Sequence, residues 1–144
     1  MERRDWALLT LAAAEGAELT PVQLQKVLFL LGERQRDKVG RGFYAFRPYN
    51  FGPFSADVYS DAGQLEREGL AVIDRGAPGR NWSLYAATPA GVARAREVAQ
   101  QAPEGLPDYV GRLVQWARSL TFQELVSAVY AAYPAQRANS IFID

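Results

Sequence analysis

Between Phe43 and Leu70 the chain reads FYAFRPYNFGPFSADVYSDAGQLEREGL. Pro48, Gly52 and Pro53 forbid a regular helix through the middle of this stretch. Aromatic side chains crowd the irregular part, and a helix restarts immediately after it. The FYAF run, Phe43 to Phe46, reads as an extended segment. Ser55 supplies a hydroxyl to cap the following helix, and Asp57 sits in its first turn, where the helix dipole favours an anion. Val58, Ala62 and Leu65 give that helix one apolar face before Gly69 stops it.

The elements on either side follow from caps and periodicity. A first helix, Arg4 to Glu15, is apolar on most faces through Trp6, Leu8, Leu9 and Leu11 and ends at Gly16. Arg3 and Arg4 before an apolar run have the look of a signal peptide, but Asp5 interrupts the basic region and the run is short. A buried helix is therefore expected. Thr20, Pro21 and Gln23 form a capping box for a second helix reaching about Gln35, striped by Val22, Leu24, Val27, Leu28, Leu30 and Leu31 and interrupted by Gln23, Gln25 and Lys26. GERQRDKVGRG then reads as a solvated helix end and loop.

Downstream, Leu70 to Ile73 and Trp82 to Ala86 flank the turn-rich GAPGRN and predict a hairpin. Thr88 and Pro89 open a fourth helix. Asp108 is the expected cap of a fifth, and Thr121 with Glu124 forms a capping box for a sixth that ends near Tyr133. AQRANSIFID is expected to be an extended end. Helix, helix, capped helix, hairpin, helix is the winged-helix order. The expected fold is mainly α with a small β-hairpin, a winged helix with two extra C-terminal helices. It forms a single domain over residues 1–144, with a core at 4–101 and a helical extension at 107–134.

Composition narrows the chemistry. The 144 residues hold sixteen basic and sixteen acidic side chains and neither Cys nor His. Disulfides, thiolate catalysis, sulfur-ligated zinc and the commonest general base are thereby excluded. Glu66 with Glu68 and Asp57 with Asp61 read as a solvated helix face, since nothing pairs them with a nucleophile. GAPGRN lacks the Lys and Ser or Thr of a phosphate loop. No enzymatic activity, cofactor or metal is expected. No run reaches the roughly 20 apolar residues of a membrane span, so the chain is expected in the cytoplasm.

Several segments resemble the Panacea antitoxin-type domains and the related YwgA-like bacterial proteins: LQKVLFLLG, PYNFGPFSADVY, LEREGL, TPAG and FQELVSAVYAAYPAQRANS. The likeness spans most of the chain. It is strongest from Leu24 to Leu70 and in the YP followed by NS near the C-terminus. Many Panacea members carry a Trp before the GP pair. Here Tyr49, Asn50 and Phe51 stand there, which places the chain nearer the YwgA-like branch. The resemblance implies a bacterial or phage-related, non-enzymatic domain in a toxin–antitoxin or defence setting. Panacea members neutralise partner toxins, and one relative is an adaptor that delivers its toxin to a protease.

Two partner classes stay open. The helix from Ser55 to Gly69 carries Asp57, Asp61, Glu66 and Glu68 against Arg67 alone, a net of minus three, which opposes laying it against phosphates. A protein partner is therefore expected, with a cognate toxin as one form. Arg47, Tyr49, Asn50 and Phe51, in a turn between two prolines, are the candidate contacts. Asn50 has the alternative role of bonding its own turn. Most of the aromatics Phe43, Tyr44, Phe46, Tyr49, Phe51, Phe54 and Tyr59 are read as core, with a subset exposed for contact. The alternative is a DNA-binding regulator that grips the backbone with Arg34, Arg36, Lys38, Arg41, Arg75 and Arg80 if these converge. A homo-oligomer is compatible with either.

Overall fold

Thr20, Thr88 and Thr121 each begin a helix by accepting a backbone N–H three residues on, so three of the boundaries are set by local chemistry. The computed structural model describes residues 1–142 and is mainly helical. In chain order it comprises α1 (Arg3–Ala12), α2 (Pro21–Arg34), α3 (Arg36–Val39), β1 (Arg47–Tyr49), β2 (Gly52–Phe54), α4 (Ala56–Arg67), β3 (Ala71–Asp74), β4 (Leu84–Ala87), α5 (Pro89–Gln101), α6 (Leu106–Arg118) and α7 (Phe122–Ala132). A 3₁₀ turn, Pro134–Arg137, follows.

The hydrophobic centre is α1, which contacts α2, α4, α5 and α6 and buries every residue from Trp6 to Leu11. It ends at Ala12, short of Glu15, because Glu15 and Gly16 both take positive φ and turn the chain away. Its N-terminus is closed by the Asp5 carboxylate, which accepts the Glu2 N–H at 2.8 Å. In α2 every side chain from Leu24 to Leu31 is buried, including Gln25 and Lys26.

Two antiparallel hairpins interrupt the helices. β3 pairs with β4, Ala71 opposite Ala87 and Asp74 opposite Leu84, and Leu19 extends the ladder by exchanging two backbone bonds with Tyr85 at 2.7 and 2.9 Å. β1 pairs with β2, Arg47 opposite Phe54 and Tyr49 opposite Gly52, around an Asn50–Phe51 turn. The strand starts at Arg47, after the FYAF run, which takes no regular secondary structure. Phe43 and Phe46 instead pack half-buried on the core, and Tyr44 is buried.

Four further expectations are revised. The Ser55 hydroxyl makes no cap for α4; its backbone N–H and C=O are held by the buried Gln25 amide at 2.9 Å each. Gly105 in the left-handed region, rather than Asp108, precedes α6, leaving Asp108 in the first turn. The basic loop after α2 contains the short helix α3, where Arg36 pairs with Glu33 at 3.0 Å. The segment after α7 is a 3₁₀ turn that folds back on β1 and is not extended. Ile143 and Asp144 of that expected end lie outside the described residues.

The TPAG turn acts as a joint. Thr88 accepts the Gly91 N–H at 3.0 Å and donates to the Gly69 carbonyl at 2.7 Å, while its own N–H reaches the Leu70 carbonyl at 3.1 Å. A Cβ on Gly91 would collide with the Leu70 carbonyl oxygen, which is backbone and cannot rotate away. Gly91→Ala is expected to cost about 2–3 kcal/mol in urea unfolding, a forced shift of α5 against β3. A loss under about 0.5 kcal/mol would show the joint to be slack.

A candidate partner-binding groove

The first turns of α2 form the floor of a groove of about 620 Å³, with Val22, Gln25 and Lys26 facing it. The β1–β2 hairpin from Tyr49 to Phe54 makes one side. Asn81 and Trp82, from the loop before β4, and Leu120, Thr121, Phe122 and Leu125 around the start of α7 complete it. Tyr49, Trp82 and Phe122 are 42%, 47% and 48% exposed along the rim. Exposed large aromatics gathered at one concavity are what an interface core uses, because they bring apolar area at low entropic cost.

Rings brace the hairpin on several sides. Phe51 meets Phe122 edge-on at 5.2 Å, Tyr49 lies 4.9 Å from Phe54, and Phe54 lies 5.7 Å from Tyr59. Tyr59 stacks in parallel on Tyr85 at 5.8 Å, and burial lifts its hydroxyl to about 12, so it stays protonated. Arg47 lies just outside the groove lining, with its guanidinium carbon 5.3 Å from the Tyr49 ring and 5.9 Å from Phe54. Its charge is thus presented beside the aromatic rim.

The C-terminal segment fixes the hairpin from behind. The Asn50 carbonyl accepts the Ile141 N–H at 2.9 Å and the Ser140 hydroxyl at 3.2 Å, and Asn139 donates to the Pro48 carbonyl at 3.3 Å. Tyr130 in turn donates to Ser140 at 2.6 Å. The Asn-Ser pair therefore serves to dock a turn far away in sequence. Asn50 lines the groove, and its backbone carbonyl is bonded to the C-terminal segment rather than within its own turn.

Lys26 is the unusual group. Its ammonium donates to the Pro53 carbonyl at 3.3 Å, its one acceptor among the described residues. Burial pushes its pKa down from 10.5 to about 7. Among the described residues, no Asp or Glu lines the groove. Sequence reading passed over Lys26 as an interruption of the stripe, yet Val22, Lys26 and Leu30 are four apart and share a face, which was the available signal. Trp82 and Phe122 were also missed as contacts. A lone Trp after a turn-rich loop and a Phe at the first position of a capped helix were their only marks.

The six basic candidates do not form one surface. Arg75 is held bidentately by Glu66 at 2.9 and 2.7 Å. Arg80 pairs with Asp74 at 2.7 Å and donates to the Trp82 carbonyl at 2.8 Å, so it shapes the loop that carries Trp82. Arg34 hydrogen-bonds Tyr133 and Tyr109, which keep its pKa above the usual value, and Arg36 pairs with Glu33. Lys38, within α3, and Arg41, just after it, are exposed. Trp82 meets the N-terminal end of α2, whereas Arg34 to Arg41 follow its C-terminal end, about 20 Å away along 14 residues.

The acidic helix also changes meaning. Arg3 bonds Asp61 at 2.9 Å and Asp57 at 3.2 Å, Arg4 pairs with Glu68, and Arg75 with Glu66. Tyr44 donates to Asp61 at 2.7 Å, and burial followed by that bond raises its pKa strongly. Asp57, Asp61 and Glu66 of α4 and Glu68 at its C-cap thus all have cationic partners, so the net of minus three counted from Ser55 to Gly69 is offset by neighbouring elements.

Among the described residues, no group of His, Cys, Asp and Glu could hold a metal ion, and no helix is long and apolar enough to cross a membrane. No family model and no curated protein matches the chain.

Proposed function

We propose that this chain is a non-enzymatic, cytoplasmic protein-binding module, antitoxin-like or an adaptor in a bacterial toxin–antitoxin or defence setting. The observation that carries the reading is the groove whose rim exposes Tyr49, Trp82 and Phe122 while its walls are braced by ring contacts and the C-terminal segment. Tyr49 and Phe122, each braced by another ring, lose little freedom on binding, which favours affinity for a protein surface. The segments that resemble Panacea and YwgA-like proteins contribute to this groove: LQKVLFLLG supplies Lys26, PYNFGPFSADVY the hairpin, and the NS pair its docking. A winged-helix assignment is supported by the succession α1, α2, α4, the β3–β4 hairpin and α5.

A DNA-binding regulator is less well supported. Arg75 and Arg80 are already bound to carboxylates, and Arg80 bonds the carbonyl of Trp82, which lies by the start of α2, whereas Arg34 to Arg41 lie at and beyond its end. Duplex binding that is strongly salt-dependent and weakened by changing Arg34, Arg36 and Arg41 to Ala would favour it instead. Under the protein-binding reading, Arg47→Ala with Tyr49→Ala removes partner capture from the native host by about tenfold or more, while thermal stability stays within a few degrees of the parent. Capture unchanged in that double variant rejects the site.

A further inference from the structure

We propose that the groove receives the free carboxyl end of a polypeptide partner, its terminal carboxylate pairing with Lys26 and its last apolar side chain lying among Tyr49, Phe51, Trp82 and Phe122. This rests on the protein-binding reading and specifies the partner's chemistry. Lys26 is only 3% exposed, yet it faces the groove, and among the described residues the Pro53 carbonyl is its single acceptor and no carboxylate lines the groove. A cation withdrawn from water without a counter-ion is a strong attractor for an anion that brings its own apolar body. Gly52 keeps the approach open: a Cβ there would lie 3.4 Å from Lys26 Cε and 3.5 Å from Nζ.

A chain terminus suits this site better than an internal acidic residue. With Val22, Phe51, Pro53, Phe54, Trp82 and Phe122 the lining is mainly apolar, which offers few partners to a peptide backbone that must enter and leave again. A small free acid, in contrast, would leave the aromatic rim uncovered, whereas small-molecule sites bury most of their ligand. A polypeptide end fills the floor and covers the rim.

The test is calorimetric titration of the full chain at low salt with N-acetyl tripeptides ending in Phe or Leu, each as the free acid and as the C-terminal amide. The free acids are expected to bind about tenfold more tightly than the amides. Lys26→Met, which removes the charge and keeps the bulk, is expected to abolish that difference. Equal binding of acid and amide, binding of neither, or an unchanged difference in the Met variant overturns the proposal. So does 3-phenylpropionate binding as tightly as the peptides, since the occupant is then a small acid. Loss of capture in the rim variant, with acids and amides equivalent here, means that a partner docks through an internal surface. Capture insensitive to the rim variant removes the underlying reading itself.

Discussion

Lys26→Met is expected to make this protein more stable at neutral pH. The folded pKa of Lys26 is lowered by burial from 10.5 to about 7, which corresponds to a ceiling of about 5 kcal/mol held against folding. Between these two values the unfolded chain binds a proton that the folded chain does not, so the stability of the parent rises with pH across that window. Below it both states are protonated and the full penalty applies. Met leaves the Pro53 carbonyl without its donor, so a net gain of about 2–4 kcal/mol is expected near pH 6.5. The gap should narrow by about 2 kcal/mol at about pH 9. Urea unfolding of both proteins at the two pH values decides the matter. A Met variant less stable near pH 6.5, or a gap independent of pH, contradicts a desolvated Lys26. A protein that retains such a lysine forgoes stability, and the groove it faces offers a reason.

Its neighbour should respond in the opposite sense. Gln25→Leu is expected to destabilise the fold by about 4 kcal/mol, because two buried backbone groups of Ser55 lose their partners together. Gln25 and Ser55 are both almost fully buried, so water cannot substitute without opening the junction between α2 and α4. The Ser55 amide should also exchange far faster in the variant. A loss below about 1 kcal/mol would mean that the hairpin and the start of α4 hold their positions without the amide. Two adjacent polar residues on one helix thus oppose each other: one completes its hydrogen bonds inside the protein, the other leaves a charge waiting.

Local chemistry made much of this architecture readable from sequence. Thr20 with Gln23 and Thr121 with Glu124 form the capping boxes their spacing predicts, and Val58, Ala62 and Leu65 are the buried residues of α4. The hairpin before Thr88 also lies where its turn-forming loop suggests, its strands shifted by one to two residues. Failures fall where a distant group decides. Ser55 does not cap because Gln25, thirty residues earlier, takes its backbone. The Arg47–Phe54 hairpin rests on bonds from residues 139–141 that no local pattern announces.

The site divided along the same line. Tyr49, Asn50 and Phe51 line the groove, since a turn rich in aromatics and bounded by prolines cannot bury all of its rings. Arg47 lies beside them on the Tyr49 ring. Trp82, Phe122 and Lys26 reach the same concavity from three other elements, a convergence set by tertiary packing. Charge counting along α4 likewise missed Arg3, Arg4 and Arg75, which approach from α1 and the loop after β3.

Hydrogen–deuterium exchange on the complex with a nuclease-resistant, stoichiometric protein captured from the host is the decisive measurement. Binding at the aromatic groove predicts new protection over residues 47–54, 81–82 and 120–125, with residues 34–41 and 75–80 unchanged. Protection confined to those basic segments, or recovery only of nuclease-sensitive material, contradicts it.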